Sequence, residues 1–190
     1  MSSILLAGPA VEPMTIAEAK AFLRVVHDDD DDVIAALIAG ARVHVEAQTR
    51  RALITQSWRL VRDTWPDNGR VAVLPAPLRE LTAARVYRLD GTVQTLDVAA
   101  FTADTASAPG VLAYSGAPLE PGRIAAGIEL DVGVGYGDAA ADVPADLRQA
   151  IRILVAHWYE NRGLIALGTG IAVLPVTVAA LIAPYRVVSL

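Results

Sequence analysis

The chain has no cysteine among its 190 residues. That excludes a disulfide scaffold, a Cys-ligated zinc site, an iron–sulfur cluster and a cysteine nucleophile. It is also short of charge. Only 19% of residues are charged against 54% apolar, and the mean hydropathy is +0.41. About a quarter charged is typical of soluble domains. This much apolar surface must collapse, which excludes a disordered chain. A surface so poor in charge points either to buried subunit contacts or to a membrane span. Lysine is nearly missing too: Lys20 stands alone beside 15 arginines. Arginine is suited to bidentate, partly buried ion pairs, although a GC-rich genome alone would give the same bias. The net charge of −5 argues against a broad grip on a nucleic-acid backbone.

Catalytic and cofactor signatures are missing as well. There is no Gly-x-Ser-x-Gly elbow and no Walker motif. Gly133, Gly135 and Gly137 follow a strand pattern, but no helix opens there, so a glycine-rich strand end is expected rather than a nucleotide site. His157 and Glu160 share a helix face without a third metal ligand. The run Asp28, Asp29, Asp30, Asp31, Asp32 lacks the alternation, glycine and terminal Glu of a calcium loop and is expected to be a solvated helix start. No enzyme activity, cofactor or metal is expected. Met1-Ser2-Ser3 has no basic residue and the apolar run after it stops at Gly8-Pro9, so the N-terminus is no secretory signal and a cytoplasmic product is expected.

What is present is an ordered series of elements. Thr15-Ile16-Ala17-Glu18 has capping-box spacing, and Ile16, Ala19, Leu23 and Val26 follow on one helical face. A second amphipathic helix runs from Val33 through Ile34, Leu37, Ile38, Ala41 and Val45 to about Arg50-Arg51. From Ile54 the pattern alternates, with Ser57, Arg59 and Val61 on one side and Trp58, Leu60 and Arg62 on the other. Asp90-Gly91 marks a hairpin between Leu81–Leu89 and Thr92–Val98. About six strands are expected before helix returns at Pro144, with Leu147, Ile151, Leu154 and Trp158 on one face and an end near Gly163. A loop at Gly168-Thr169-Gly170 precedes a short helix over Pro175–Ala183. The expected fold is α+β, a helical bundle of an N-terminal and a C-terminal helix pair with an antiparallel β insertion. Its helical core comprises residues 1–53 and 138–190, and its β domain residues 54–137. Gly163–Tyr185 contains no charge and is long enough to span a bilayer, but Gly168, Gly170 and Pro175 would break a lone helix in lipid. Burial against other subunits is the better reading, with a tail-anchored membrane protein as the rival.

Several of these stretches, taken in order, resemble a known family. They are Pro13-Met14-Thr15-Ile16-Ala17-Glu18-Ala19-Lys20, Ala47-Gln48-Thr49-Arg50-Arg51 before Trp58, and Val143-Pro144-Ala145-Asp146-Leu147-Arg148-Gln149-Ala150-Ile151. His157-Trp158-Tyr159-Glu160-Asn161-Arg162 and Leu181-Ile182-Ala183-Pro184-Tyr185-Arg186 complete the series. The chain resembles the long type of phage head–tail connector, or adaptor, found in tailed phages, prophages and gene transfer agents. The resemblance implies a non-enzymatic ring, usually of twelve subunits, beneath the portal protein. Such a ring continues the DNA channel without sequence-specific binding and docks a tail-side stopper or tail-completion protein. A different head-completion or tail-completion protein is the near alternative. Candidate subunit or portal contacts are Arg148, Arg152, Trp158, Tyr159, Arg162, Leu181, Tyr185 and Arg186. The arginines could pair across subunits with the acidic run.

Overall fold

Thr15 starts the first helix as its spacing predicts. Its hydroxyl accepts from the Glu18 N–H at 3.1 Å, and the Glu18 carboxylate accepts from the Thr15 N–H at 2.8 Å. Two of the orphan donors at the helix start are thereby satisfied. The computed structural model describes residues 2–114, 116, 118–161 and 175–188. Its helices are α1 (Ile16–Leu23), α2 (Asp31–Thr49), α3 (Ala145–Glu160) and α4 (Val176–Ile182). Its strands are β1 (Ser2–Ala7), β2 (Gln56–Arg62), β3 (Arg70–Val73), β4 (Leu78–Tyr87), β5 (Val93–Leu96), β6 (Phe101–Asp104), β7 (Gly110–Tyr114) and β8 (Ile128–Val134).

The chain divides into two compact units. One contains Val11–Ile54 and Gly137–Arg186; the other contains Met1–Ala10, Thr55–Tyr136 and Val187–Leu190. In the helical unit α2 buries Ile34, Ile38, Ala41 and Val45 at helical spacing, and α3 buries Leu147, Ala150, Ile151, Leu154 and Val155. These two stripes form its core, closed by Val178 and Ile182 of α4. Trp158 lies edge-on to His44, with ring centroids 5.9 Å apart, and reaches α2 where Gly40 offers no side chain. Both α1 and α2 end on an arginine in left-handed conformation, Arg24 at φ 58° and Arg50 at φ 56°.

The other unit is built on two antiparallel sheets. The larger has the order β1-β2-β8-β4-β5 and the smaller β3-β7-β6. Central β8 pairs with β2 through Leu60↔Leu130 and with β4 through Ala84↔Leu130, so one face carries Leu60, Leu130, Val132, Ala84 and Val86 into the core. The smaller sheet adds Val71, Val73 and Leu112. Gly110 allows close packing: a Cβ there would overlap the Leu78 side chain. Trp65, Phe101 and Tyr114 form an aromatic cluster, and the Trp65 indole donates to the Leu119 carbonyl at 2.9 Å. The Asp90-Gly91 turn joins β4 to β5 as predicted, with Gly91 at φ +85°.

The α+β class holds, but the expected bundle of two helix pairs with a β insertion does not. The structure has four α-helices and eight strands in two sheets among the described residues. The β region carries its own core and its own two-sheet packing, and it recruits residues from both chain ends. β1 draws Ser2–Ala7 into the larger sheet, and Val187 is buried with that unit. At the other extreme α1 and α4 are only eight and seven residues long. Helices of about two turns are held by tertiary contact rather than by forming bundle-length pairs. The expected end of α3 near Gly163 and the Gly168-Thr169-Gly170 loop lie outside the described residues.

Candidate assembly surfaces

The acidic run begins as a solvated turn and ends inside α2, where its negative charge suits the helix N-terminus. The chain satisfies much of it internally. Lys20, largely covered, reaches Asp28 at 2.5 Å and Asp31 at 2.8 Å. That pairing holds the Asp28 carboxyl below its usual range and raises the Lys20 ammonium. The Tyr159 hydroxyl donates to Asp30 at 2.6 Å. Asp29 stands in solvent with His27 3.9 Å away, and Asp32 is exposed. The single lysine is therefore the acidic run's main counter-charge within the chain.

The candidate contact residues divide between two situations. Trp158 and Tyr159 are half-buried and engaged, against His44 and Asp30. The Tyr185 carbonyl accepts from Arg51 at 2.6 Å, its hydroxyl lies 3.4 Å from Asp146, and Arg186 donates to Gln48 at 3.2 Å. Leu181 is half-buried on α4. Arg148 and Arg152, one turn apart on α3, make no hydrogen bond or ion pair among the described residues, and the buried Arg148 Nε has no acceptor. Both act electrostatically on Glu18. Its carboxyl is held below the usual range first by the Thr15 backbone and hydroxyl, with Arg152 and Arg148 adding to the effect. Arg162 lies outside the described residues.

The sheet unit contributes groups that sequence reasoning did not single out. On the face opposite its apolar core, Asp131 of β8 sits between two arginines from the flanking strands. Arg59 of β2 grips both its oxygens, at 2.7 and 2.9 Å, and Arg85 of β4 donates at 2.7 Å. Glu129 is 3.3 Å from Arg59 and 3.9 Å from Arg85. The Arg59 fork drives the Asp131 carboxyl below the ordinary range against the opposing effect of burial, with Arg85 adding to it. The Arg59 guanidinium is correspondingly held more firmly charged. Arg62, at the end of β2, is a contrasting case. It is only 6% exposed, and its NH groups donate to the carbonyls of Val61 at 2.9 Å, Ser2 at 3.3 Å and Ala72 at 3.4 Å. Its Nε has no acceptor, and burial lowers its pKa. The alternation of β2 could have exposed this residue, because it puts Arg62 on the same side as Trp58 and Leu60.

Every residue of edge strand β1 is exposed, and Ile4, Leu5 and Leu6 show 49%, 49% and 46% of their surface. No helix among the described residues is long and apolar enough to cross a membrane. In the sheet unit an open apolar edge, and in the helical unit two arginines beyond ion-pair distance of any described carboxylate, are each features suited to contact with other protein. The comparisons go further. Residues 13–97 match the family of phage gp6-like head-tail connector proteins. A chain from the virion of a native gene transfer agent particle matches with TM-score 0.84 and 25% identity, over 100% of this chain and 97% of that one. Another, from the neck of a native gene transfer agent particle computed with C12 symmetry, matches with TM-score 0.74 and 27% identity over 98% and 97%. A chain from the neck of an empty particle computed with C6 symmetry shares the fold at TM-score 0.84 and 24% identity, over 100% and 97%. No curated protein sequence matches. The chain is thus similar to head-tail connector proteins over residues 13–97 and, along nearly its whole length, to chains of gene transfer agent particles.

Proposed function

We propose that the chain forms a ring, twelve copies around, in the neck of a phage-like particle, where it joins head to tail. The observation that carries this reading is the end-to-end match to a gene transfer agent neck chain computed with C12 symmetry. A twelvefold ring is heterologous: one surface of each subunit meets a different surface of the next, and rotation closes the set. The unpartnered Arg148 and Arg152 are suited to one side of such a contact, and the exposed Asp29 and Asp32 to the other. The portal protein on the head side and a stopper or tail-completion protein on the tail side are the partners this position calls for. DNA passes through the ring without sequence readout. The net charge of −5 per copy supports passage, because retention requires cations against phosphates. The family is one of structural connectors, so the protein is read as non-enzymatic.

Electron cryomicroscopy of particles made with this chain tests the proposal. The expected result is a twelvefold ring of the chain between portal and tail. Its location in the tail tube, at the tail tip or in the shell would refute the reading. A position one layer further from the portal would favour the alternative tail-completion role.

A further inference from the structure

Two independent features meet at one corner of the larger sheet. The first is β1, whose outer backbone edge pairs with no strand among the described residues and whose Ile4, Leu5 and Leu6 each leave nearly half their surface open. Natural proteins protect such edges with charge, proline or a covering segment, because an open apolar edge recruits another chain. Ser2–Ala7 contains no charged residue and no proline. The second is Arg62. The residue is more than nine-tenths buried, and among the described residues its guanidinium is held by the carbonyls of Ser2, Val61 and Ala72 alone. No carboxylate lies within ion-pair distance of it among the described residues, and its Nε faces no acceptor. It lines an open cleft of about 230 Å³ with Asp63, Thr64 and Pro66. The Asp63 carboxylate in that cleft accepts from the Ala126 N–H at 2.8 Å and forms no ion pair with Arg62. Ser2 binds Arg62 and pairs with Val61, so the open edge and the uncompensated cation adjoin each other.

A buried cation without a partner is costly, whereas a buried pair with satisfied hydrogen bonds is tolerated. The geometry points to an interface in which a second copy of this chain covers β1 and places a carboxylate against Arg62. The occupant is a copy of the same chain because the ring proposed above surrounds each subunit with identical neighbours. The chain also has a surplus of acids, 21 against 16 basic residues, to supply the counter-charge. Ile4, Leu5 and Leu6 supply the apolar part of the contact, and the Arg62 pair fixes its register.

The inference rests on the ring reading, and the test separates the two. In a reconstruction of the assembled neck, a carboxylate oxygen from the neighbouring copy is expected within about 4 Å of the Arg62 guanidinium. The same copy should cover Ile4 and Leu5. A ring in which this corner faces solvent, or faces a different protein, overturns the inference and leaves the ring intact. Absence of a ring overturns both. Two variants give a biochemical readout. Arg62→Met should leave the urea midpoint of the isolated chain unchanged or higher, while incorporation into particles falls by about tenfold or more. Leu5→Lys, at a position already open in the isolated chain, should fold normally and show the same loss. Normal incorporation of Leu5→Lys, or loss of folding in Arg62→Met with normal incorporation of Leu5→Lys, refutes the assignment.

Discussion

Replacing Asp131 by alanine removes the acceptor that both Arg59 and Arg85 share. The two guanidiniums are then left on a half-covered sheet face with their hydrogen bonds at 2.7–2.9 Å gone. Breaking a fully buried pair costs about 3–5 kcal/mol. Two facts reduce that here. The arginine side chains keep 28% and 29% of their surface, so water recovers part of the loss. Glu129 also remains 3.3 Å from Arg59. A cost of about 2 kcal/mol is therefore expected, and a slope of about 2 kcal/mol/M places the urea midpoint about 1 M lower. Chemical unfolding followed by tryptophan fluorescence reads this through Trp58 and Trp65, which lie in the sheet unit. Replacement of the whole cluster, Arg59→Met, Arg85→Met, Asp131→Leu and Glu129→Gln, should recover most of the loss, because desolvation disappears with the charges. The pH dependence has a definite sign. The folded carboxyl lies below its unfolded value of about 3.9, so the stabilisation is complete above that value and is lost as pH falls through the depressed folded one. Asp131→Ala should flatten the acid limb of the stability curve. A loss below about 0.5 kcal/mol, with the acid limb unchanged, would show the cluster to be an ordinary surface network and refute the reasoning.

Two further substitutions test the helical unit. Gly137→Ala would drive a Cβ into the Asp142 side chain, whose carboxylate holds the Ala139 N–H at 2.9 Å. Overpacking of this kind costs about 1–3 kcal/mol, so a lower thermal midpoint is expected and an unchanged one would show that the turn relaxes freely. Arg24→Gly should act in the opposite direction. A left-handed residue with a Cβ carries about 1 kcal/mol of strain, Arg24 sits at φ 58°, and calorimetry should find the variant slightly more stable.

The helices were legible because their signals are local. Thr15 and Glu18 are three residues apart, the buried positions of α2 recur at helical spacing, and Asp90-Gly91 is a self-contained turn. The sidedness of β2 was legible for the same reason. β1 was not. Ser-Ser-Ile-Leu-Leu-Ala does not alternate, and its partner is fifty or more residues away, at Ser57–Val61. Recruitment of Ser2–Ala7 to the larger sheet and of Val187 to the same unit is likewise a long-range event, which is why a β region read as an insertion proved to be a unit with its own core. The glycine run shows the limit from another side. Gly133, Gly135 and Gly137 have separate local reasons: a side chain from Glu80 alongside, a φ of +122°, and the Asp142 carboxylate.

The fold also changes what the charges mean. Counted along the sequence, five consecutive aspartates look like the chain's main electrostatic handle, with the arginines of α3 as their natural counterparts. In the structure Lys20 and Tyr159 engage Asp28, Asp30 and Asp31, so Asp29 and Asp32 are the exposed members of the run that neither of them holds. The cations have the opposite distribution. Arg59 and Arg85 are fully paired, whereas Arg62, Arg148 and Arg152 have no carboxylate within ion-pair distance among the described residues, and Arg148 and Arg152 act on Glu18 only at longer range. Each of those three is partly or wholly covered, where an unpaired charge costs most. An assembly that supplies carboxylates to them gains more than one that adds cations to an already paired acidic turn. The contacts that specify the ring are therefore expected at the uncompensated arginines, and reversing Arg152 to glutamate should weaken assembly more than neutralising Asp28.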